Sequence, residues 1–216
     1  MLDFRKDDII IQPSVHKHTL VFLPGWSRSA HKDLNIFKTV PFLENTKIRI
    51  IQPPHGPSMG IPFSQIQPAW INGIEDVPIT ALFHLNEIAK LIDEILQEEY
   101  DLCNSLFLGG FSQGGGAAFY TGINVCTLPL KGIIILSYFI FPIRWKKDRK
   151  NIPLFIYHGT KDEIIPFHLN EISVEGFKNR STCYYCADKN LGHTYNWKEF
   201  LELKKWMRSC LEIEKL

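Results

Sequence analysis

The sequence predicts a three-layer α/β domain, with a mostly parallel central sheet and helices on both of its faces. Three observations carry that prediction. Strand-like and helix-like segments alternate along the chain, the order that βαβ units produce. Several strand candidates are unbroken Ile/Leu/Val/Phe runs, as expected where both faces of a sheet are covered. At 216 residues, with 45% hydrophobic and 22% charged residues, the chain fits a single globular domain spanning residues 1–216.

Strands are predicted at residues 9–11, 19–23, 47–52, 105–109, 132–136, 153–158 and 182–187. Between the third and fourth lies a helix over residues 81–100, with Leu82, Leu85, Ile88, Ala89, Ile92, Ile95 and Leu96 on one stripe. Residues 102–130 hold no charged side chain but are rich in Gly, Ser, Asn and Thr, which suits a strand, turn and helix at the sheet's centre. A last helix over residues 196–213 repeats the stripe with Trp197, Phe200, Leu203, Trp206, Met207, Cys210 and Ile213. Both stripes read as core packing.

Composition narrows the function. A net charge of +1 argues against a nucleic-acid binder. The first eight residues are charged and lack the apolar stretch of a secretory signal. The longest apolar run, residues 132–143, falls short of the roughly 20 residues that span a bilayer, so no transmembrane segment is predicted. Five cysteines, an odd number, point to a reducing, cytoplasmic setting. Cys183 and Cys186 have CxxC spacing, but in a strand they face opposite sides, so neither a redox pair nor a metal site is expected.

The strongest chemical signal is Gly110-Phe111-Ser112-Gln113-Gly114. It fits G-x-S-x-G, follows the apolar Leu106-Phe107-Leu108 and precedes the small-residue helix start Gly115-Gly116-Ala117-Ala118. A sharp strand-to-helix turn needs glycine on either side of the nucleophile, because side chains there would strike neighbouring elements. It also sets the serine hydroxyl at a helix N-terminus, where backbone N–H groups can face a developing oxyanion.

Serine needs a base, and the base an orienting acid. Three histidines follow Ser112. His158 closes an apolar strand and reads as structural, and His168 reads as a solvated helix position. His193 lies in a turn between the last strand and the last helix, where a base at the sheet's carboxyl edge belongs. Asp162 and Glu163 both follow a strand's carboxyl end, where the functional residues of open α/β sheets collect, and Asp162 is the preferred acid.

These segments, with Val21-Phe22-Leu23-Pro24-Gly25-Trp26, the Pro53-Pro54-His55-Gly56-Pro57 stretch, Pro68-Ala69-Trp70, Leu136-Ser137 and Gly192-His193, stand in the order of a known family. From about residue 18 to 210 the chain resembles the acyl-protein thioesterase, lysophospholipase and carboxylesterase family of α/β-hydrolases. The resemblance implies a Ser112, Asp162, His193 triad and an oxyanion hole built from the backbone N–H groups of Trp26 and Gln113. It also makes the Trp70 loop a wall of the acyl groove. Two departures stand out: Pro24-Gly25 where the family usually has His-Gly, and Trp26 where it has a smaller residue, often Leu.

The leading reading is a serine hydrolase that cleaves acyl esters or thioesters without metal or cofactor, its substrates drawn from lipidated proteins, lysophospholipids or small esters. Phe63, Ile71, Phe139 and Phe141, with Trp70, are candidate acyl-pocket residues, although core packing would explain about half of such aromatics equally well. The alternative is an inactive hydrolase-fold protein that binds an acyl chain or a partner, its support confined to the altered Pro24-Gly25-Trp26 loop. The basic run Arg144-Trp145-Lys146-Lys147-Asp148-Arg149-Lys150 reads first as a solvated loop and secondly as a weak contact with an anionic membrane surface. Either a monomer or a homodimer would fit.

Overall fold

Seven strands form one sheet in the computed structural model of the chain, in the order Ile9–Ile11, Thr46–Ile50, His18–Leu23, Leu106–Phe111, Gly132–Leu136, Leu154–Gly159 and Cys183–Asp188. The structure describes residues 7–39, 43–56, 67–68, 70, 79–103, 105–140, 149, 151–176, 178 and 182–212. The strands are β1 (Ile9–Ile11), β2 (His18–Leu23), β3 (Thr46–Ile50), β6 (Leu106–Phe111), β7 (Gly132–Leu136), β8 (Leu154–Gly159) and β9 (Cys183–Asp188). Only β1 runs antiparallel, against β3; every other pairing in the sheet is parallel. A separate two-stranded ribbon pairs β4 (His55–Gly56) with β5 (Gln67–Pro68).

Helices carry the chain between most of the parallel strands and cover both faces of the sheet. They are α1 (Ala30–Thr39), α2 (Ile79–Leu102), α3 (Gln113–Tyr120), α4 (Phe167–Val174) and α5 (Trp197–Glu212). The buried apolar residues fall into two cores, one on each face of the sheet. Leu20 and Phe22 of β2, Ile134 of β7 and Phe155 of β8 pack with Ala30 and Phe37 of α1 and Phe200, Leu203 and Met207 of α5. Val21, Leu23, Ile133 and Ile156 face the other way and pack with Leu85, Ile92 and Ile95 of α2, Ala117 and Ala118 of α3 and Val174 of α4. The period-two alternation of the strands thus fills two cores from one sheet.

Two buried cations of β3 are paired. Lys47 and Arg49 of β3 reach Glu99 of α2 at 2.8 and 3.1 Å, and Arg49 also meets Asp8 at 3.0 Å. Cys183 packs on the α2 side and Cys186 on the α5 side, the opposite facing read from their spacing. Among the described residues no helix is long and apolar enough to cross a membrane. Of the basic run, only Arg149 is described; it is buried, and its Nη1 donates to the Leu128 carbonyl at 2.6 Å. That position is therefore a buried tie between two loops rather than part of a solvated or membrane-facing run.

One boundary differs from the sequence reading in a telling way. Strand β6 continues through Gly110 and Phe111, which glycine content alone would have excluded, because Leu23 and Leu136 on either side extend the ladder. Helix α3 ends in a π-helical turn over Thr121–Val125, closed by the Cys126 N–H donating to the Thr121 carbonyl at 2.8 Å.

Candidate active site

Strands β6, β8 and β9 are parallel, so their carboxyl ends lie along one edge of the sheet. Ser112 follows β6 directly, Asp162 lies just past β8, and His193 lies in the loop between β9 and α5. The fold thereby brings together three residues spread over 81 positions.

Ser112 sits at φ 53°, ψ −127°, a left-handed conformation that a non-glycine residue keeps only where its surroundings enforce it. The surroundings are tight. A Cβ on Gly110 would lie 2.5 Å from the Gly114 carbonyl and 2.6 Å from the Leu23 oxygen, and one on Gly114 would run into the Leu23 and Pro24 oxygens. The Ser112 N–H donates to Leu136 of β7 at 2.7 Å, and its carbonyl accepts from Gly115 at 2.8 Å. The two glycines therefore admit the turn, and the hydrogen bonds hold it.

His193 Nδ1 lies 2.8 Å from Asp162 Oδ2, and its Nε2 lies 2.9 Å from Ser112 Oγ. An ionised carboxylate only accepts, so Nδ1 carries the proton there and the Ser112 hydroxyl donates to Nε2. Asp162 Oδ1 accepts the N–H groups of Ile164 and Ile165 at 3.0 and 2.8 Å. Burial alone would raise the Asp162 carboxyl. The His193 and Ile165 hydrogen bonds, with the nearby imidazoles, outweigh burial and hold it below its usual value. The loops that carry Asp162 and His193 are also tied directly, the Lys161 N–H donating to the Leu191 carbonyl at 3.0 Å. This arrangement can deprotonate a serine hydroxyl and stabilise the imidazolium that results.

Other neighbours surround this line, His158 among them in the structural role read from the sequence. His158 is fully buried; its Nε2 donates to the Ile165 carbonyl at 2.9 Å and lies 3.3 Å from Asp162 Oδ2. Burial lowers its pKa, which favours the neutral ring, and that ring props the Asp162 loop. Phe111 stands against both His193 and Tyr195, at ring separations of 5.0 and 5.1 Å. The Arg28 guanidinium lies over Phe111 and Tyr195 and donates to buried Asp33, to which the Tyr195 hydroxyl also donates. The loop after β2 is in this way joined to the loop that carries His193. A Tyr two places after the His was the available signal, but nothing in the sequence named its partners.

The loop after β2 turns at Gly25–Arg28, where the Arg28 N–H donates to the Gly25 carbonyl at 3.2 Å. The position of a Gly25 Cβ is 3.3 Å from Ser112 Cβ, so the turn borders the serine. Among the described residues the Trp26 N–H donates to no protein acceptor. Trp70 is 2% exposed: its backbone N–H donates to Gln113 Oε1 at 2.8 Å and its indole N–H to the Pro24 carbonyl at 2.6 Å. Phe139 is partly buried, stacked on Tyr138 with ring centres 4.5 Å apart. Phe63, Ile71 and Phe141 lie outside the described residues.

The sequence model of the phospholipase/carboxylesterase family matches residues 6–211. Acyl-protein thioesterase 1 from Cryptococcus neoformans is 26% identical over 230 residues, covering 91% of this chain and 94% of that protein. Acyl-protein thioesterase 1 homolog 2 from Dictyostelium discoideum is 29% identical over 209 residues, covering 89% of this chain and 90% of its own. Among solved structures, acyl-protein thioesterase 2 from Zea mays superposes with a TM-score of 0.80 at 24% identity, covering 94% of this chain and 98% of that one.

Proposed function

The chain belongs to the phospholipase/carboxylesterase family, a hydrolase of carboxylic esters or thioesters, and from that premise we propose that it works by covalent catalysis at Ser112 on substrates with an acyl chain. The observation that carries this reading is the unbroken hydrogen-bonded line from Ser112 Oγ through His193 to Asp162 at the carboxyl edge of the sheet. His193 Nε2 takes the serine proton as Oγ attacks the acyl carbonyl. The Trp26 and Gln113 N–H groups receive the oxyanion, and Asp162 steadies the imidazolium. Collapse of the tetrahedral adduct releases the alcohol or thiol, which takes the proton from His193. Water, deprotonated by the same imidazole, then frees the acid and restores Ser112. The acyl-protein thioesterases among its relatives support lipidated protein thioesters as the substrate class to test first.

A serine-directed fluorophosphonate should label the wild type at Ser112 and leave Ser112→Ala unlabelled. Replacing Ser112 or His193 by alanine should each lower kcat by about 10⁴ or more, and the double variant should lose little further. Strictly additive losses would count against a unit of three residues. Hydrolysis of a palmitoylated peptide thioester, a lysophospholipid and a short nitrophenyl ester, measured side by side, ranks the substrate classes.

A further inference from the structure

Trp70 has the surroundings of a core residue and the hydrogen bonds of a strap. Its side chain packs with Val21, Leu23 and Leu85 in the core on the α2 side, and it is almost wholly excluded from solvent. Yet both of its N–H groups are spent on the same small region. The indole N–H donates to Pro24, whose carbonyl belongs to the peptide just before the one that carries the Trp26 N–H. The backbone N–H donates to the side chain of Gln113, whose own N–H is the second oxyanion donor. The elbow closes the arrangement, because Gly114 lies directly against the Pro24 oxygen. Movement of Trp70 would therefore disturb both donors together.

We propose that Trp70 is a positioning residue that holds the Trp26 and Gln113 N–H groups in register around one oxyanion, a role that rests on the reading of Ser112 as nucleophile. It contributes to the rate through the loop and the elbow rather than through contact with the acyl chain. The same geometry gives the Gln113 side chain its purpose: a carboxamide oxygen there accepts a buried backbone N–H that would otherwise be orphaned. It also shows how Pro24 serves. A proline has no N–H to give, but its carbonyl accepts from the indole, and its fixed φ removes one freedom from the loop that bears it.

Trp70→Phe tests this by deleting the indole N–H while keeping an aromatic ring. Expected are a kcat on a short nitrophenyl ester about tenfold lower or more, since small misplacements near the reacting centre are costly, with KM close to wild type. The rate of phosphonylation by the fluorophosphonate should fall in parallel, because the adduct's oxygen sits in the same hole. The preference among two-, four- and eight-carbon esters should not move. A folded Trp70→Phe enzyme with wild-type kcat overturns the proposal, as does one whose change lies in KM for long chains only, the mark of a groove wall. Gln113→Met removes the other acceptor at similar length and carries the same test should Trp70→Phe fail to fold. Failure of the underlying reading looks different: the wild type would then not be labelled at Ser112 at all.

Discussion

Ser27 takes a φ of 59° at the third place of the Gly25–Arg28 turn, while Trp26 before it stays out of the left-handed region. That is the pattern of a type II turn, whose only internal hydrogen bond runs from the fourth N–H to the first carbonyl and leaves the second N–H unused. Trp26 is that second residue, so its donor is directed by the turn rather than by its side chain. Two expectations follow. Trp26→Leu should keep the N–H and leave kcat on a short ester near wild type. Trp26→Pro should lower kcat by about 10²–10³, the usual result of losing one oxyanion donor. Proline is well suited to the second place of such a turn, so melting temperature should change little and the loss can be read as chemistry. A folded Trp26→Pro enzyme with full kcat would remove Trp26 from the oxyanion hole. Gly25 is needed for space, since a Cβ there would press on the Phe111 ring at 3.0 Å. Gly25→Val should therefore lower both kcat and stability.

At the scale of elements, the turn from β6 to α3 shows why part of the site could be read in advance. The requirement for glycine at Gly110 and Gly114 is local and steric, and it leaves a fixed spacing in the sequence. Ser112, Asp162 and His193 share a second legible property, because each follows the carboxyl end of a strand in a parallel sheet. The Arg28, Asp33 and Tyr195 cluster has no such signature. Its Arg28–Tyr195 contact joins residues 167 positions apart, and each residue type alone would suit a surface. Trp70 was legible as a neighbour of the site but not as a strap, because its two hydrogen bonds end on a carbonyl and a side chain of other segments. The same steric argument yields a prediction for the elbow. Gly114→Ala places a methyl group among the Leu23 and Pro24 carbonyls, which belong to a central strand and the loop after it and cannot both retreat. Activity should fall at least about 100-fold, as when an oxyanion donor is lost, and the melting temperature should drop with it. An alanine enzyme of normal activity and stability would show that β2 can shift, and the argument for G-x-S-x-G in this chain would fail.

Across the whole molecule, two buried carboxyls set opposite pH limits on stability. Asp162 is held below its usual value by the hydrogen bonds it accepts, so the fold gains from its ionised form. That contribution is present above the unfolded pKa of about 3.9 and is lost as pH falls through the lower folded value. Glu199, in the first turn of α5, is the reverse case. It is fully buried, and neither carboxyl oxygen finds a full hydrogen-bond partner among the described residues. Burial raises its pKa well above normal, the Asn196 N–H only partly offsets this, and the nearby Asp188 charge adds to the rise. The unfolded chain ionises this carboxyl from about pH 4.3 upward, while the folded chain keeps it protonated. Stability therefore declines as pH rises from that point to the higher folded value, because only the unfolded state releases the proton. Glu199→Gln keeps the size and the neutral form, and its backbone N–H still donates to the Asn196 cap, a bond of 3.0 Å in the wild type. The variant should melt close to wild type near pH 4.5 and progressively above it towards pH 8. Melting curves of the two proteins across that range decide the matter, and a constant difference at every pH would mean that Glu199 is ionised inside the fold.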